Sequence, residues 1–458
     1  MKKNKLKILA LLSSLTIFST VLLSCASTKV DTPVLVESVD DFTTKTLSNG
    51  ITVTFKQNRG SKIIVLRMII EGGTSALDET LGGLEDITFD LLLRGSESYP
   101  YEKIKQLEYE KSFSLSSSVG KDYSALGFTC IQRDMSEVFE LFSDCVLNPR
   151  FLEADFNQLM TENSAAMKER SSSPNGALSL ALTKTAFQGH PYATTTKITE
   201  ETYKNINLDL IRSHHQSLLN ALRLKFVIVG NFSQALQNDF VSKLEIAFGN
   251  LSKKQYSEPK IPKIPFSLNG NVKIANEQAG NTGYVAGFFP CPSRSDTDYI
   301  PFAIATMYLD DLFFSNVREK AGAVYSINTG VIGGKELLGV ISAYKVSDQK
   351  NLKNAIMQAF ASYSDSELEK DIDQYKNKYI SALFSPSQTA SGSASNVVSS
   401  LEFFGDARAY LKRVEAVQNT TSKQVQDAFK KYLEPIAKEN YIRWIVVDGD
   451  RNLDDYGF

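Results

Sequence analysis

The same order of local patterns occurs twice along this 458-residue chain. In the first copy, a hairpin over 42–55 with an Asn49-Gly50 turn leads to an apolar strand at 63–70. A helical stretch follows over 83–93, then strands near 112–118 and 123–130, and a helix over 136–147. Three further helical stretches precede a strand at 224–230. In the second copy, a strand at 283–289 precedes a helix over 299–318, strands at 323–331 and 337–344, and a helix over 351–363. A last strand runs over 441–447. Corresponding elements lie roughly 211 to 218 residues apart across four pairs. The closing strands even resemble each other, L-K-F-V-I-V-G beside I-R-W-I-V-V-D. Between the copies, residues 252–267 read S-K-K-Q-Y-S-E-P-K-I-P-K-I-P-F-S, with prolines that exclude helix and interior strand and so mark an extended linker. Strands and helices without strict alternation argue an α+β fold. The chain divides into two similar halves, 42–251 and 268–458.

Composition narrows the function. Fifty Lys+Arg against 52 Asp+Glu leave no basic excess for a nucleic-acid backbone, and four cysteines are too few for a disulfide framework. Cys130 and Cys145 sit in apolar stretches as buried, inert thiols. At the N-terminus, Lys2, Lys3, Lys5 and Lys7 precede an uncharged run over 8–23 ending in Leu22-Leu23-Ser24-Cys25. This resembles the lipobox of bacterial lipoproteins, which implies cleavage after residue 24 and lipidation of Cys25. The other reading is an uncleaved anchor, although the run falls short of a full span. Ala26, rather than aspartate, after the cysteine implies an outer-membrane destination, with residues 25–41 as a tether. Loss of residues 1–24 removes four lysines and no acids, taking the formal charge from −2 to −6.

Residues 83–96, G-L-E-D-I-T-F-D-L-L-L-R-G-S, carry the most telling pattern. They resemble the segment G-L-A-H-F-L-E-H-M-L-F-K-G-T of the insulinase/pitrilysin family of zinc peptidases, which contains the inverted zinc motif H-x-x-E-H. In the gap-free register Asp86 stands at the first histidine position, Phe89 at the catalytic glutamate and Asp90 at the second histidine. A phenyl ring accepts no proton, so this helix lacks the general base that activates a metal-bound water. A register that pairs Glu85 with the glutamate puts Gly82 and Asp86 at the ligand positions and is equally degenerate. Downstream, T-E-N-S-A-A-M-K-E-R holds Glu162 and Glu169 on one helical face; by resemblance, Glu169 takes the place of the third zinc ligand. Asp86, Asp90 and Glu169 then form a candidate carboxylate cluster for a hard cation, or are solvated helix acids that bind nothing. None of the three histidines replaces the lost ligands: His190 lies in a turn, and His214 and His215 are adjacent.

The second half keeps its motif. Residues 317–326, V-R-E-K-A-G-A-V-Y-S, resemble the family segment L-R-E-K-R-G-L-A-Y-S, whose arginine and tyrosine bind the substrate backbone and stabilise the oxyanion. Arg318 and Tyr325 match those positions; the other reading is a salt bridge and a packed strand residue. The Gly-rich turn that often precedes this helix is absent, and Gly330, Gly333 and Gly334 mark a hairpin. The resemblance implies two antiparallel-rich sheets packed with helices and joined by the linker as a clamshell. It also implies a noncatalytic subunit without zinc of its own, paired with a zinc-bearing paralogue around a peptide substrate, as in heterodimeric family members. The alternatives are a stand-alone peptide- or protein-binding envelope lipoprotein, periplasmic or surface-exposed, and a carboxylate-metal hydrolase.

Overall fold

A computed structural model describes residues 37–449 and 451–458. The cationic head, the apolar run and Cys25 lie outside the described residues. Val39–Asp41, assigned to the tether by sequence, already forms a 3-10 turn with Asp41 buried.

The first half contains β1 (Phe42–Thr46), β2 (Thr52–Gln57), β3 (Ile63–Glu71), α1 (Leu84–Leu92), α2 (Tyr101–Lys111), β4 (Ser114–Val119), β5 (Tyr123–Ile131), α3 (Met135–Leu147), α4 (Glu153–Ser172), α5 (Pro174–Ala186), α6 (Leu208–Leu218), β6 (Leu224–Gly230) and α7 (Gln234–Phe248). The second half contains β7 (Val272–Ala275), β8 (Gly283–Pro290), α8 (Tyr299–Phe313), β9 (Val324–Gly333), β10 (Leu337–Val346), α9 (Gln349–Ala361), α10 (Asp365–Phe384), α11 (Ala390–Phe404), α12 (Ala409–Asn419), α13 (Ser422–Ala428), α14 (Glu434–Glu439) and β11 (Arg443–Asp448). The first sheet has the order β1-β2-β6-β3-β5-β4 and the second β7-β11-β8-β10-β9. Dropping β1 makes the two orders superimposable, with the parallel pair β2/β6 matched by β7/β11. β7 is a strand that the sequence reading did not assign; it lies inside the second half, ahead of the strand read at 283–289. The helix expected over 299–318 is α-helical to Phe313 and continues as a π-helix, Phe314–Lys320.

The strands explain how the halves are joined. On β3, Ile64, Leu66, Met68 and Ile70 enter the first-half core with α1 and α3. Val65 and Ile69, on the opposite face, pack with Val227 and Val229 of β6 against Ala394, Val397 and Val398 of α11, a helix from the second half. The second sheet repeats the arrangement. Trp444 and Val446 of β11 face their own half, whereas Ile445 and Val447 join Leu178 and Ala186 of α5, a helix from the first half. Because successive strand side chains point to opposite faces, both parities must be apolar, and L-K-F-V-I-V-G satisfies this. Each such Val, Ile or Leu contributes roughly 1.5–3 kcal/mol by burial. Helix starts are fixed locally: the Ser173 side chain accepts from Gly176 N with Pro174 in the first turn, and the Thr389 side chain accepts from Gly392 N. The 252–267 connection carries no regular structure, yet Ile261, Ile264 and Phe266 pack on the second sheet.

A polar lock joins the halves at two hairpin tips, Gly120-Lys121-Asp122 and Gly334-Lys335-Glu336. Buried Asp122 accepts from the Tyr192 hydroxyl at 2.7 Å and from the Lys335 backbone N at 2.8 Å. A Cβ on Gly334 would lie 1.8 Å from Asp122 Oδ2, so only glycine allows this approach. Burial and the neighbouring Asp122 carboxylate push the Tyr192 phenol up, so it stays protonated and donates. Asp122→Ala strands the buried Tyr192 hydroxyl donor and leaves the Lys335 N–H only its 3.0 Å contact with Tyr192 Oη, lowering unfolding free energy by about 1–3 kcal/mol. Lys335→Ala keeps its backbone donor and costs under about 1 kcal/mol. Urea unfolding of the two variants at neutral pH checks the ordering.

Candidate functional site

α1 begins where Gly83 adopts a left-handed conformation, φ 86°, its N–H donating to Thr195 O at 3.0 Å. A Cβ there would stand 2.4 Å from Ile198 N, so the 195–198 segment lies directly on the start of α1. That contact decides what the motif positions do. Asp86 is buried, and both its oxygens accept from Lys197 Nζ, at 2.6 and 2.8 Å. Burial pushes the Asp86 carboxyl up, while Lys197 and the more distant Arg170 pull it down. Phe89 is fully buried in the first-half core. Burial, reinforced by the negative charge of Asp86, pushes Asp90 up to about 6, against the opposing pull of the Lys197 charge, a 3.4 Å contact from Ser117 Oγ and the Arg94 charge.

The downstream acids do not complete a ligand set. Glu162 Oε2 accepts from Arg94 Nη2 at 2.7 Å, and its other oxygen from Gln158 at 2.9 Å. Glu169 is exposed, whereas its neighbour Arg170 turns inward and donates to Ile198 O at 3.3 Å. Among the described residues, no group of three or more His, Cys, Asp or Glu side chains could hold a metal. The three-carboxylate cluster is therefore not assembled, and a zinc ion does not fit this donor set. Nor is Asp86 a solvated helix acid, since Lys197 of the 195–198 segment lies on it, and Asp90 is half-buried beside Ser117. Glu85, on the buried side of α1, lies 3.3 Å from His214 Nε2, and neither its carboxylate oxygens nor that nitrogen makes a hydrogen bond among the described residues. His215 Nε2 pairs instead with Val146 O at 2.7 Å, and His190 Nε2 with Pro262 O at 2.9 Å. Cys130, Cys145 and Cys291 are free; burial pushes the first two thiols up to about 12, which leaves them inert.

Arg318 and Tyr325 sit elsewhere, on the π-helical turn and at the start of β9. The Arg318 guanidinium lies 5.5 Å from the Tyr325 ring centroid and 5.2 Å from that of Phe314. Lys345, at a β10 bulge with φ 51°, approaches the same tyrosine ring at 5.6 Å. Tyr325 is 65% exposed, and the sole ion pair of Arg318 among the described residues is with Glu319 at 3.8 Å. The pair is thus assembled but unengaged.

Residues 52–200 match the model of the insulinase family, peptidase family M16, and residues 205–379 match the peptidase M16 inactive domain. The chain belongs to the M16 family. Its fold is that of the M16 inactive-domain protein from Pseudomonas fluorescens, at 18% identity, TM-score 0.77, over 90% of this chain and 98% of that one. A protease from Helicobacter pylori is similar at 14% identity, TM-score 0.77, over 89% and 99%. The periplasmic protease PqqL of Escherichia coli is similar at 16% identity, TM-score 0.73, over 90% of this chain and 46% of that one. No curated protein sequence matches this M16 chain.

Lys197 and Lys121 escaped the sequence reading because they lie outside the motifs, and Arg170 because it closes the downstream segment beside Glu169, the residue that the resemblance singles out. Lys121 donates to Tyr192 O and Thr194 O, both at 2.6 Å, and burial pushes its ammonium down to about 8. The legible signal was the repeated Gly-Lys-acid at residues 120–122 and 334–336. For Asp90 the pH dependence has a definite sign. A carboxyl raised from 3.8 to about 6 binds its proton more tightly folded than unfolded, so its ionisation costs stability as pH rises through that window. Asp90→Asn removes the cost: the variant is more stable by on the order of 1–2 kcal/mol at pH 7.5, and the advantage vanishes near pH 4, as urea unfolding at both pH values reads.

Proposed function

We propose that this chain is a noncatalytic subunit of a heterodimeric M16 peptidase. It pairs with a zinc-bearing paralogue, lends Arg318 and Tyr325 to that partner's site and helps enclose a peptide substrate. One observation carries the reading: the Arg318–Tyr325 pair is preassembled and solvent-facing, while the α1 positions of the same chain are consumed by Lys197 and by the hydrophobic core. A guanidinium and a phenol suit the anionic tetrahedral oxygen of peptide hydrolysis, provided that another chain supplies the base and the metal. Length also supports pairing. This chain covers 46% of PqqL, so a second chain of similar size completes a molecule of that extent.

The M16 subunit is further proposed to be exported and lipidated at Cys25, on the periplasmic side of the outer membrane or at the cell surface. In this reading the lipid on Cys25 supplies the attachment; among the described residues no helix is long and apolar enough to cross a membrane. Cys25→Ser then moves the protein from the membrane to the soluble fraction, as fractionation of the envelope shows.

Mixing the chain with a paralogue that carries an intact H-x-x-E-H tests the pairing. Arg318→Ala lowers kcat/KM for peptide cleavage by about 100-fold, and Tyr325→Phe by about tenfold, with the complex still formed on size exclusion. Unchanged rates reject the donated pair and favour a stand-alone peptide-binding lipoprotein. Chelator-sensitive cleavage by the homogeneous chain alone rejects the noncatalytic reading.

A further inference from the structure

A cavity of about 410 Å³ opens between the C-terminal end of α4, the exposed side of α5 and the 195–201 segment. It lies beside the Asp86–Lys197 pair, involves neither Arg318 nor Tyr325, and needs no partner chain. We propose that it binds the free carboxylate end of a short peptide whose last side chain is apolar.

Three donors from three separate elements line the cavity with capacity unspent. Arg170 uses one of its five N–H groups, toward Ile198 O at 3.3 Å, and forms no ion pair among the described residues. Lys121 spends two donors on neutral carbonyls, both at 2.6 Å, which leaves a half-buried ammonium with one N–H and no hydrogen-bonded carboxylate. Thr195 lines the same space, and its Oγ1 is buried without a hydrogen-bond partner. A carboxylate accepts from several donors at once and gives both cations a hydrogen-bonded counter-charge, where Asp86 reaches Arg170 and Asp122 reaches Lys121 only through their fields. A terminal amide instead presents an N–H₂ group to those cations.

The rest of the lining selects among anions. Leu180, 39% exposed, and Ile198 provide the apolar wall for a side chain. Glu200 and Glu201 lie on the lining too, the latter 3.6 Å from Lys184, and their charge disfavours a dianion such as phosphate. The volume matches a terminal dipeptide, within the ~300–1,000 Å³ typical of small-ligand sites.

Isothermal titration of the full chain with N-acetyl-Ala-Leu, its C-terminal amide and inorganic phosphate tests the assignment. The free acid is expected to bind at least tenfold more tightly than the amide or phosphate. Arg170→Gln and Thr195→Val each weaken the acid, Arg170→Gln by at least tenfold. Equal binding of acid and amide, phosphate binding as tight as the acid, or no binding of the acid at about 5 mM overturns the proposal. So does an Arg170→Gln variant that binds normally. If that variant does not fold, the acid–amide comparison on the unaltered chain decides alone. Because no partner is present, failure here leaves the heterodimer reading untouched, and loss of that reading leaves this one standing.

Discussion

Each sheet in this M16 chain is closed by a helix that the other half provides. α11 lies on β3 and β6, and α5 lies on β8 and β11, so neither sheet buries its second face without the opposite half. An antiparallel-rich sheet with one bare face of Val and Ile would expose a large apolar patch, and reciprocal exchange removes two such patches at once. The halves are therefore one cooperative body rather than beads on a linker. The Lys225 ammonium reinforces this by bridging Glu71 of β3 and buried Glu402 of α11, the latter at 2.8 Å. Within that frame the two Gly-Lys-acid tips meet, and Asp122 closes the junction.

The same frame fixes the asymmetry between the ancestral sites. The 195–198 segment that rests on α1 brings Lys197 to Asp86, so the positive charge that a metal would supply in a catalytic relative comes from the chain itself. Asp90 is left beside it, partly buried and with weak compensation, which raises its proton affinity. In the second half the helix bearing Arg318 widens into a π-turn, a feature often found where function rather than packing sets the geometry. Together with the bulge that turns Lys345 toward Tyr325, it gathers two cations around one exposed ring. One half pairs its motif aspartate internally, and the other leaves its Arg–Tyr pair facing solvent.

Much of this was legible from residues. Strands such as Leu224–Gly230 announce themselves because every position but one is apolar or glycine, and that pattern belongs to a sheet covered on both faces. The duplication follows from the order of elements, and the loss of the general base follows from Phe89 alone. β7 was missed because Val272–Ala275 alternates weakly and gains its hydrogen bonds only from β11, far along the chain. Asp86 read as a solvated acid or a cation ligand because helix spacing says nothing of a lysine more than a hundred residues later that pairs with it.

By itself, then, the sequence determined the two-fold repeat, the α+β class and the erasure of the H-x-x-E-H chemistry, because each depends on residue identity or on short-range periodicity. Tertiary structure alone decided which helix covers which sheet, that Lys197 neutralises Asp86, and that Arg170, Lys121 and Thr195 converge on one cavity. Those outcomes depend on contacts between residues tens to hundreds of positions apart, where the energy of burial and charge pairing is settled only when the chain closes on itself.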